Sequence, residues 1–384
     1  NVMRLFTCFF LIFISFILSS CGDRKMDVRC LSLQRDSLYS TVRHVRISPP
    51  ADILELKSYY ITSFMDCDSI NGVVAYNYRL HSLDLIDIAD KGISSIALQK
   101  EGPDGIPGRI SGICPVSKDS IWLYDGIAMY LVDGMGHVQD KVTLHDRENV
   151  IIETNYAMCT ARFFYHKEHG SLLYLTARDS FAIEEYDVRN KCIINKYPLS
   201  CSLVNPAGEQ VYGDMYHPNV NFADEKILYN YPYESSIYVL DMDSGERSVI
   251  TAESAFTSNM ANKCKSNGYA VWERHRIENV HFFDVMYLPG SQLFVRLHQS
   301  GVVFDARQSI LSVLDGKSLY MSVFDKEFHA MGELKLEDRR YSLFTGWCAL
   351  ANSLLLFNDN SLSDSMDYDR LSVDIVTPAF TPFD

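Results

Sequence analysis

The chain predicts an all-β fold built from repeated four-stranded units, and three features of its 384 residues carry that reading. Short runs rich in Val, Ile, Tyr and Phe recur along its length, separated by Asp-Gly, Asn-Gly, Pro-Gly and Asp-Ser turns. That is the pattern of antiparallel strands joined by tight connections. Long helical periodicity is nearly absent, and the runs fall into sets of four spaced roughly 50 to 65 residues apart, a period typical of repeated sheets.

The first unit reads as strands over 56–65, 72–77, 82–88 and 93–98. The second, over 109–144, is the clearest, with strands at 110–114, 120–124, 128–132 and 137–144. Lys118-Asp119, Asp125-Gly126 and Asp133-Gly134 make its turns. The third unit takes 161–164, 171–176, 181–187 and 192–197, and the fourth 216–222, 226–229, 236–240 and 247–250. The fifth takes 280–287, 292–297, 319–324 and 329–336, with an insertion over 300–316. The last offers only three strands, 341–349, 354–358 and 371–376, and residues 42–47 are the candidate for its fourth. A single meander of this size cannot bury both of its faces. Six units closed into a ring can, and closure leaves no edge blade. The expected architecture is therefore a six-bladed β-propeller of four-stranded antiparallel blades, closed by an N-terminal strand. A two-domain β-sandwich is the alternative.

Met3 and Arg4 precede an almost wholly apolar run over residues 5–18. The run is too short for a bilayer span of ~20 helical residues and suits the core of a signal peptide. It closes on Leu18-Ser19-Ser20-Cys21, which resembles the lipobox of bacterial lipoproteins. The resemblance implies cleavage before Cys21 and lipidation of that cysteine, hence partnership with a membrane through the lipid. An uncleaved signal anchor or a plain secretory signal competes with it. The expected division is a signal peptide over 1–20, a lipidated cysteine and tether over 21–40, and the propeller over 41–384. The expected location is the cell envelope, at the outer membrane, on its periplasmic side or the cell surface. Gly22 and the lack of an acidic cluster after Cys21 lean towards the periplasmic side.

Composition narrows the partners. Apolar residues make up 47% and charged ones 22%, which places the chain among globular rather than disordered proteins. A net charge of −14 argues against nucleic acid or anionic lipid as the main partner, since both need a basic face. Eight cysteines follow Cys21 without a CxxC pair, so zinc is not expected. Cys192 and Cys201 are the nearest candidates for a disulfide, while Cys114 and Cys348 read as small buried hydrophobes.

The unit pattern resembles the six-bladed, TolB-like propeller lipoproteins of Bacteroidales, a family of unknown function. The resemblance rests on the signal with its cysteine and on Gln99-Lys100-Glu101-Gly102-Pro103-Asp104-Gly105 before the second unit. It rests also on Ile121-Trp122-Leu123, Leu131-Val132-Asp133-Gly134 and Gly136-His137-Val138 within that unit, and on Leu293-Phe294-Val295-Arg296-Leu297. It implies fold and location, and carries no catalytic residues over.

Enzyme motifs are missing: there is no GxSxG elbow, HExxH, P-loop or EF-hand loop, and no cofactor is expected. Gly134-Met135-Gly136 lies between two strand signals and reads as a hairpin turn, not a dinucleotide loop. His166-Lys167-Glu168-His169-Gly170 gathers two histidines and a carboxylate, but at a hairpin tip it reads as a solvated turn. A metal there would need a rigid support and further ligands.

Ligands of propellers are expected at a concave mouth where long connections converge. The connections over 147–160, 199–215 and 251–279 are the longest, and the last holds room for a short helix. The candidate ligand-binding residues are Trp272, Arg274, His275, Arg276, Arg162, Tyr156, Tyr216 and His217. Aromatic and Arg groups of this kind suit a glycan, peptide or protein through stacking and bidentate hydrogen bonds. The sequence thus points to a membrane-anchored binding or scaffolding propeller. The alternative is a propeller hydrolase or lyase with its active site at the channel mouth, since such sites leave no local motif.

Overall fold

The computed structural model describes residues 27–31, 38–48, 59–67, 70–144, 150, 163–264, 266–342, 346–364 and 370–380. Strands β1 (Asp27–Leu31) and β2 (Leu38–Ile47) each join a sheet completed far along the chain. Blade 1 comprises β3 (Tyr59–Cys67), β4 (Ile70–Asn77), β5 (Ser82–Asp87) and β6 (Gly92–Ala97). Blade 2 comprises β7 (Gly112–Ser117), β8 (Ser120–Tyr124), β9 (Ala128–Val132) and β10 (Val138–Thr143). Blade 3 follows with β11 (Phe163–His166), β12 (Ser171–Ala177), β13 (Phe181–Asp187) and β14 (Cys192–Pro198). Blade 4 holds β15 (Asn219–Ala223), β16 (Lys226–Asn230), β17 (Ser236–Asp241) and β18 (Arg247–Ala252). Blade 5 holds β19 (His281–Leu288), β20 (Leu293–Gln299), β21 (Leu319–Phe324) and β22 (Ala330–Lys335). Blade 6 is β23 (Trp347–Ala349), β24 (Leu354–Phe357), β25 (Leu371–Phe380) and β2. First strands of neighbouring blades contact one another (β3 with β7, β7 with β11, β15 with β19, β19 with β23, β23 with β3), which puts them at the centre of the ring. The expected six-bladed propeller is the observed fold.

Alternation along the strands explains why the ring holds. Side chains of a strand point to opposite faces in turn, and here both faces are buried. On β4, Val73 and Ala75 pack with Leu355 and Val373 of blade 6, while Val74 and Tyr76 pack with Ile113 and Leu123 of blade 2. On β12, Leu172 and Tyr174 meet Trp122 of blade 2, and Leu173 and Leu175 meet Ile227 and Tyr229 of blade 4. On β24, Leu354 and Leu356 face blade 5 and Leu355 and Phe357 face blade 1. Each such side chain contributes about 1.5–3 kcal/mol by leaving water.

Closure follows the expected route. β2 pairs antiparallel with β25 over ten residues, from Leu38 opposite Phe380 to Ile47 opposite Leu371. His44 lies opposite Asp374 in this register, and its Nδ1 sits 2.6 Å from the Asp374 Oδ1. Arg340 Nε and Tyr341 Oη donate to the other carboxylate oxygen. Burial opposes ionisation of Asp374, but these three donors outweigh it and hold the carboxyl below its ordinary range. The addition that the sequence reading did not anticipate is β1, which pairs parallel with β18 as a fifth strand of blade 4.

Local motifs fall where chain geometry demands. Asp133 Oδ1 accepts the N–H groups of Met135 and His137, closing the β9–β10 turn. Gly136 there has φ +86°, and a Cβ on it would lie 2.3 Å from the Ala97 carbonyl oxygen of blade 1. Asp104 reaches from the connection before blade 2 to accept the Val138 N–H at 2.9 Å. The described cysteines are free, Cys192 and Cys201 included, so the candidate disulfide is absent. Burial pushes the thiols of Cys114 and Cys348 up to about 11 and 12, as for packed, unreactive side chains.

Arg296 shows what the aromatic-Arg strand does. It is fully buried on β20, and its guanidinium donates to the carbonyls of Ser235 and Ala252 in blade 4, the latter at 2.8 Å. Its plane lies over Phe282, 4.6 Å from the ring centre. Beside it, His298 is stacked between Phe282 and Tyr320 with Nε2 3.0 Å from Glu333 Oε1. A cation with fixed donors thus ties blade 5 to blade 4 where an unpaired charge would be untenable.

Two outcomes follow from the closure. Deleting residues 1–35, which removes β1 and spares β2, leaves a cooperative thermal transition, whereas deleting 1–48 strips the pairing partner of β25 and abolishes it in circular dichroism melts. Asp374→Asn lowers unfolding free energy by about 1.5–3 kcal/mol in chemical denaturation at neutral pH, by weakening the charged hydrogen bonds across the seam. Wild-type stability in that variant would show that the seam relies on apolar contacts only.

Candidate functional site

An antiparallel blade sends its second-to-third hairpin and its exit to the next blade out of the same end. At that end of blades 3, 4 and 5, residues 199–218, 231–235, 253–280 and 300–318 pack together. The connection from β18 to β19 contains the expected helix, α1 (Tyr269–Glu278), and the insertion between β20 and β21 contains a second, α2 (Ile310–Asp315). Ser309 caps α2 by accepting the Ser312 N–H. The helices meet through Ile277, Val313 and Leu314, all buried.

Of the four α1 candidates, Trp272, His275 and Arg276 each meet a partner outside the helix that fixes it. Trp272 lies flat on Gly213, so close that a Cβ there would come within 2.9 Å of the indole Cδ1. Gly213 opens a 3-10 turn (Gly213–Met215) with φ +61°, which favours glycine. Arg276 is buried and its Nη1 donates to Asp214 Oδ2 of that turn at 2.7 Å. Burial pushes the Asp214 carboxyl upward, against the pull of Arg276 and His275. His275 is buried with Nε2 2.5 Å from the Asn262 carbonyl oxygen. Arg274 alone of the four points outward, donating from Nε to Glu278 at 2.9 Å, with Phe304 of the insertion 5.7 Å below its guanidinium.

The end of α1 carries a group that no motif announced. Lys317, after α2, is buried, and its Nζ donates to the carbonyls of Arg276 and Asn279 at 3.1 and 3.2 Å. Those carbonyls belong to the last turn of α1, whose acceptors have no partner within the helix. Burial, reinforced by the Arg276 charge, pushes the Lys317 amine down to about 7. A neutral amine keeps two N–H groups, enough for the two carbonyls.

Between α1 and the chain before it opens a cleft of about 740 Å³, lined among others by Asn262, Lys263, Cys264, Arg274, His275 and Glu278. Its lining offers two cationic side chains, one carboxylate and the amides of Asn262 and Asn279 beside the apolar Ala270 and Val271, so it can bind by hydrogen bonding, charge and apolar contact.

Tyr216 and His217 stand apart from this cleft. They precede β15, whose start at Asn219 lies three residues later than the alternation suggested. Tyr216 donates to the Gly208 carbonyl at 2.8 Å, and both rings pack on Phe181 of blade 3. Neighbouring tyrosines do similar work. Tyr231 donates to the Ser200 carbonyl, Tyr229 and Tyr238 accept the N–H groups of Ser200 and Leu203, and Tyr212 stacks on Tyr233 at 3.9 Å. The connection over 199–218 is therefore sewn onto blade 4. Tyr156, Arg162 and Cys21 lie outside the described residues.

Among the described residues two clusters could hold a metal ion. Asp325, Glu327 and His329 form one in the β21–β22 turn, where Asp325 Oδ1 already accepts the N–H groups of both others. His166, His169 and Glu185 form the other, at the opposite end of the ring from α1. His166 ends β11 and His169 lies in the β11–β12 turn, at the hairpin tip read from sequence, and β13 brings the buried Glu185 beneath them.

Fold and loop packing together define a six-bladed β-propeller with a braced, clefted face. Residues 52–335 match the family described as Domain of unknown function (DUF4221), and the chain belongs to that family. A crystallised member of the family from Bacteroides vulgatus is similar at 14% identity and a TM-score of 0.73, over 91% of this chain and all of that one. A Bacteroides fragilis protein described as exported is similar at 10% identity and a TM-score of 0.52, over 92% of this chain and all of that one. At these identities the likeness speaks for the fold. Among curated proteins none matches. Among the described residues no helix is long and apolar enough to cross a membrane.

The Lys317 site has a measurable consequence. The unfolded chain keeps this proton up to its ordinary value of 10.5 and the folded chain releases it near 7, so unfolding between these values takes up a proton. Stability therefore rises with pH across that window. The unfolding free energy of wild type minus that of Lys317→Met becomes more positive between about pH 7 and about pH 9 in urea titrations; a constant or falling value contradicts a buried neutral amine.

Proposed function

We propose that this protein is an envelope lipoprotein, tethered to the outer membrane by lipid on Cys21, whose propeller binds a glycan, peptide or protein at the α1 cleft. The observation that carries the reading is the contrast between the cleft and its walls. Trp272, His275, Arg276 and Lys317 are spent on holding α1 in place. Arg274, Lys263 and Asn262 are left to line the opening. A preformed cleft with fixed walls and charged groups at its opening binds without paying for loop ordering.

The apolar run ending at Cys21 supports the anchor, and the similarity to an exported Bacteroides protein agrees with an envelope location. With β1 beginning at Asp27, only residues 22–26 would separate the lipid from the ring. Blade 4, whose outer edge β1 forms, would then be held within about 20 Å of the bilayer, from the reach of an extended chain.

Fractionation and capture test the two halves separately. Cys21→Ser is expected to move the protein from the membrane to the soluble fraction and to end incorporation of labelled palmitate; unchanged membrane retention overturns the anchor. The Lys263→Ala, Arg274→Ala double variant is expected to recover at least about tenfold less of its envelope partner in affinity capture, the loss typical of contacts worth ~1.4 kcal/mol. Undiminished recovery overturns the cleft.

A further inference from the structure

We propose that His166, His169 and Glu185 form a binding site for a divalent cation of the zinc class, with a fourth position open to water or a small ligand. The site lies at the opposite end of the ring from the α1 cleft and is independent of the binding reading.

Donor geometry comes first. The ligating atoms of the three residues lie within 4.8 Å of one another. His169 Nδ1 is 2.9 Å and His166 Nδ1 3.7 Å from the same oxygen, Glu185 Oε1. Tetrahedral zinc with bonds of about 2.0–2.1 Å separates its ligands by roughly 3.3 Å, so the two spacings bracket the value required. Two imidazoles and a carboxylate are a ligand set that zinc takes in open sites.

The surroundings favour a metal over a plain hydrogen-bonded turn. His166 Nδ1 is buried and has no hydrogen-bond partner, although it faces the carboxylate. Its other nitrogen, Nε2, lies 3.0 Å from Glu225 Oε1, the outer carboxylate that metal-binding histidines commonly use to fix ring and tautomer. Glu225 reaches it from blade 4, in a two-residue hairpin turn where Asp224 and Glu225 hold φ values of 46° and 57°. Such turns prefer Asn-Gly, so a glutamate at the second position bears strain to present its side chain.

Glu185 is equally well supported. Ser171 donates to Oε1 at 2.7 Å, and Asn195 and Tyr197 donate to Oε2 at 2.7 and 3.1 Å. His169 Nδ1 lies 2.9 Å from Oε1 as well, so both oxygens are held in place. The carboxylate is thus fixed on its strand, with Oε2 held by Asn195 and Tyr197 and Oε1 turned to the histidines beside the Ser171 hydroxyl. His169 is half exposed, which leaves the outer side of the site open.

Zinc titration of the full chain, purified in detergent and stripped with a chelator, tests the site by competition against a chromogenic indicator. One Zn²⁺ per chain with micromolar or tighter affinity is expected, together with visible bands of tetrahedral geometry when Co²⁺ is substituted. His169→Ala, at a half-exposed position that the fold tolerates, and Glu185→Gln, which keeps the shape of the carboxylate, should each weaken binding about 10–100-fold. His329→Ala, in the exposed β21–β22 turn, should leave it unchanged. Absence of binding up to about a hundred micromolar, or equal affinity in His169→Ala with an unaltered circular dichroism spectrum, overturns the proposal.

Discussion

Everything in this molecule depends on burying both faces of each sheet at once. A blade alone would leave both of its apolar faces in water, and a row of blades would leave one such face at each end. The ring removes those ends, and the β2–β25 seam is where it is sealed. Leu38, Val45 and Ile47 of β2 enter the two apolar clusters on either side of blade 6. One strand from the start of the chain therefore completes the core at both flanks, and the chain cannot close until nearly all of it has been made. Contacts of such long range slow folding in general.

Buried ionisable groups concentrate at joints. Arg296 sits between blades 4 and 5, Asp374 in the closing blade, and Lys317 between α1 and α2. In each case the charged or polar group meets backbone carbonyls or fixed donors on a neighbouring element. Apolar faces alone would let blades slide against each other, since hydrophobic contact is not directional. Hydrogen bonds from a guanidinium or to a carboxylate supply the missing register.

The ends of the ring have different characters. At the α1 end, long connections are held by tyrosines, a tryptophan and a buried ion pair, leaving a cleft beside a fixed helix. At the other end the turns are short, and chemistry arises from residues on adjacent strands and blades, as with His166, Glu185 and Glu225. Both arrangements use one device: a rigid sheet carries the side chain, and a neighbouring blade supplies its partner.

Strand order, blade number and the closing strand were legible in the sequence because alternation, turn residues and period are local properties of the chain. The connection before β19 was legible as long enough for a short helix, and α1 occupies it. The same reading placed Trp272, His275 and Arg276 among ligand-binding candidates, whereas the fold turns them inward onto Gly213, Asn262 and Asp214. Nothing local distinguishes an aromatic that stacks on a ligand from one that stacks on its own loop. Likewise His166 and His169 are adjacent in sequence, but Glu185 joins them only because β13 pairs with β12, and Glu225 only because blade 4 follows blade 3. Periodicity decides which way a side chain faces; which atoms it then meets is settled by pairing across tens of residues, and that information exists only in the folded ring.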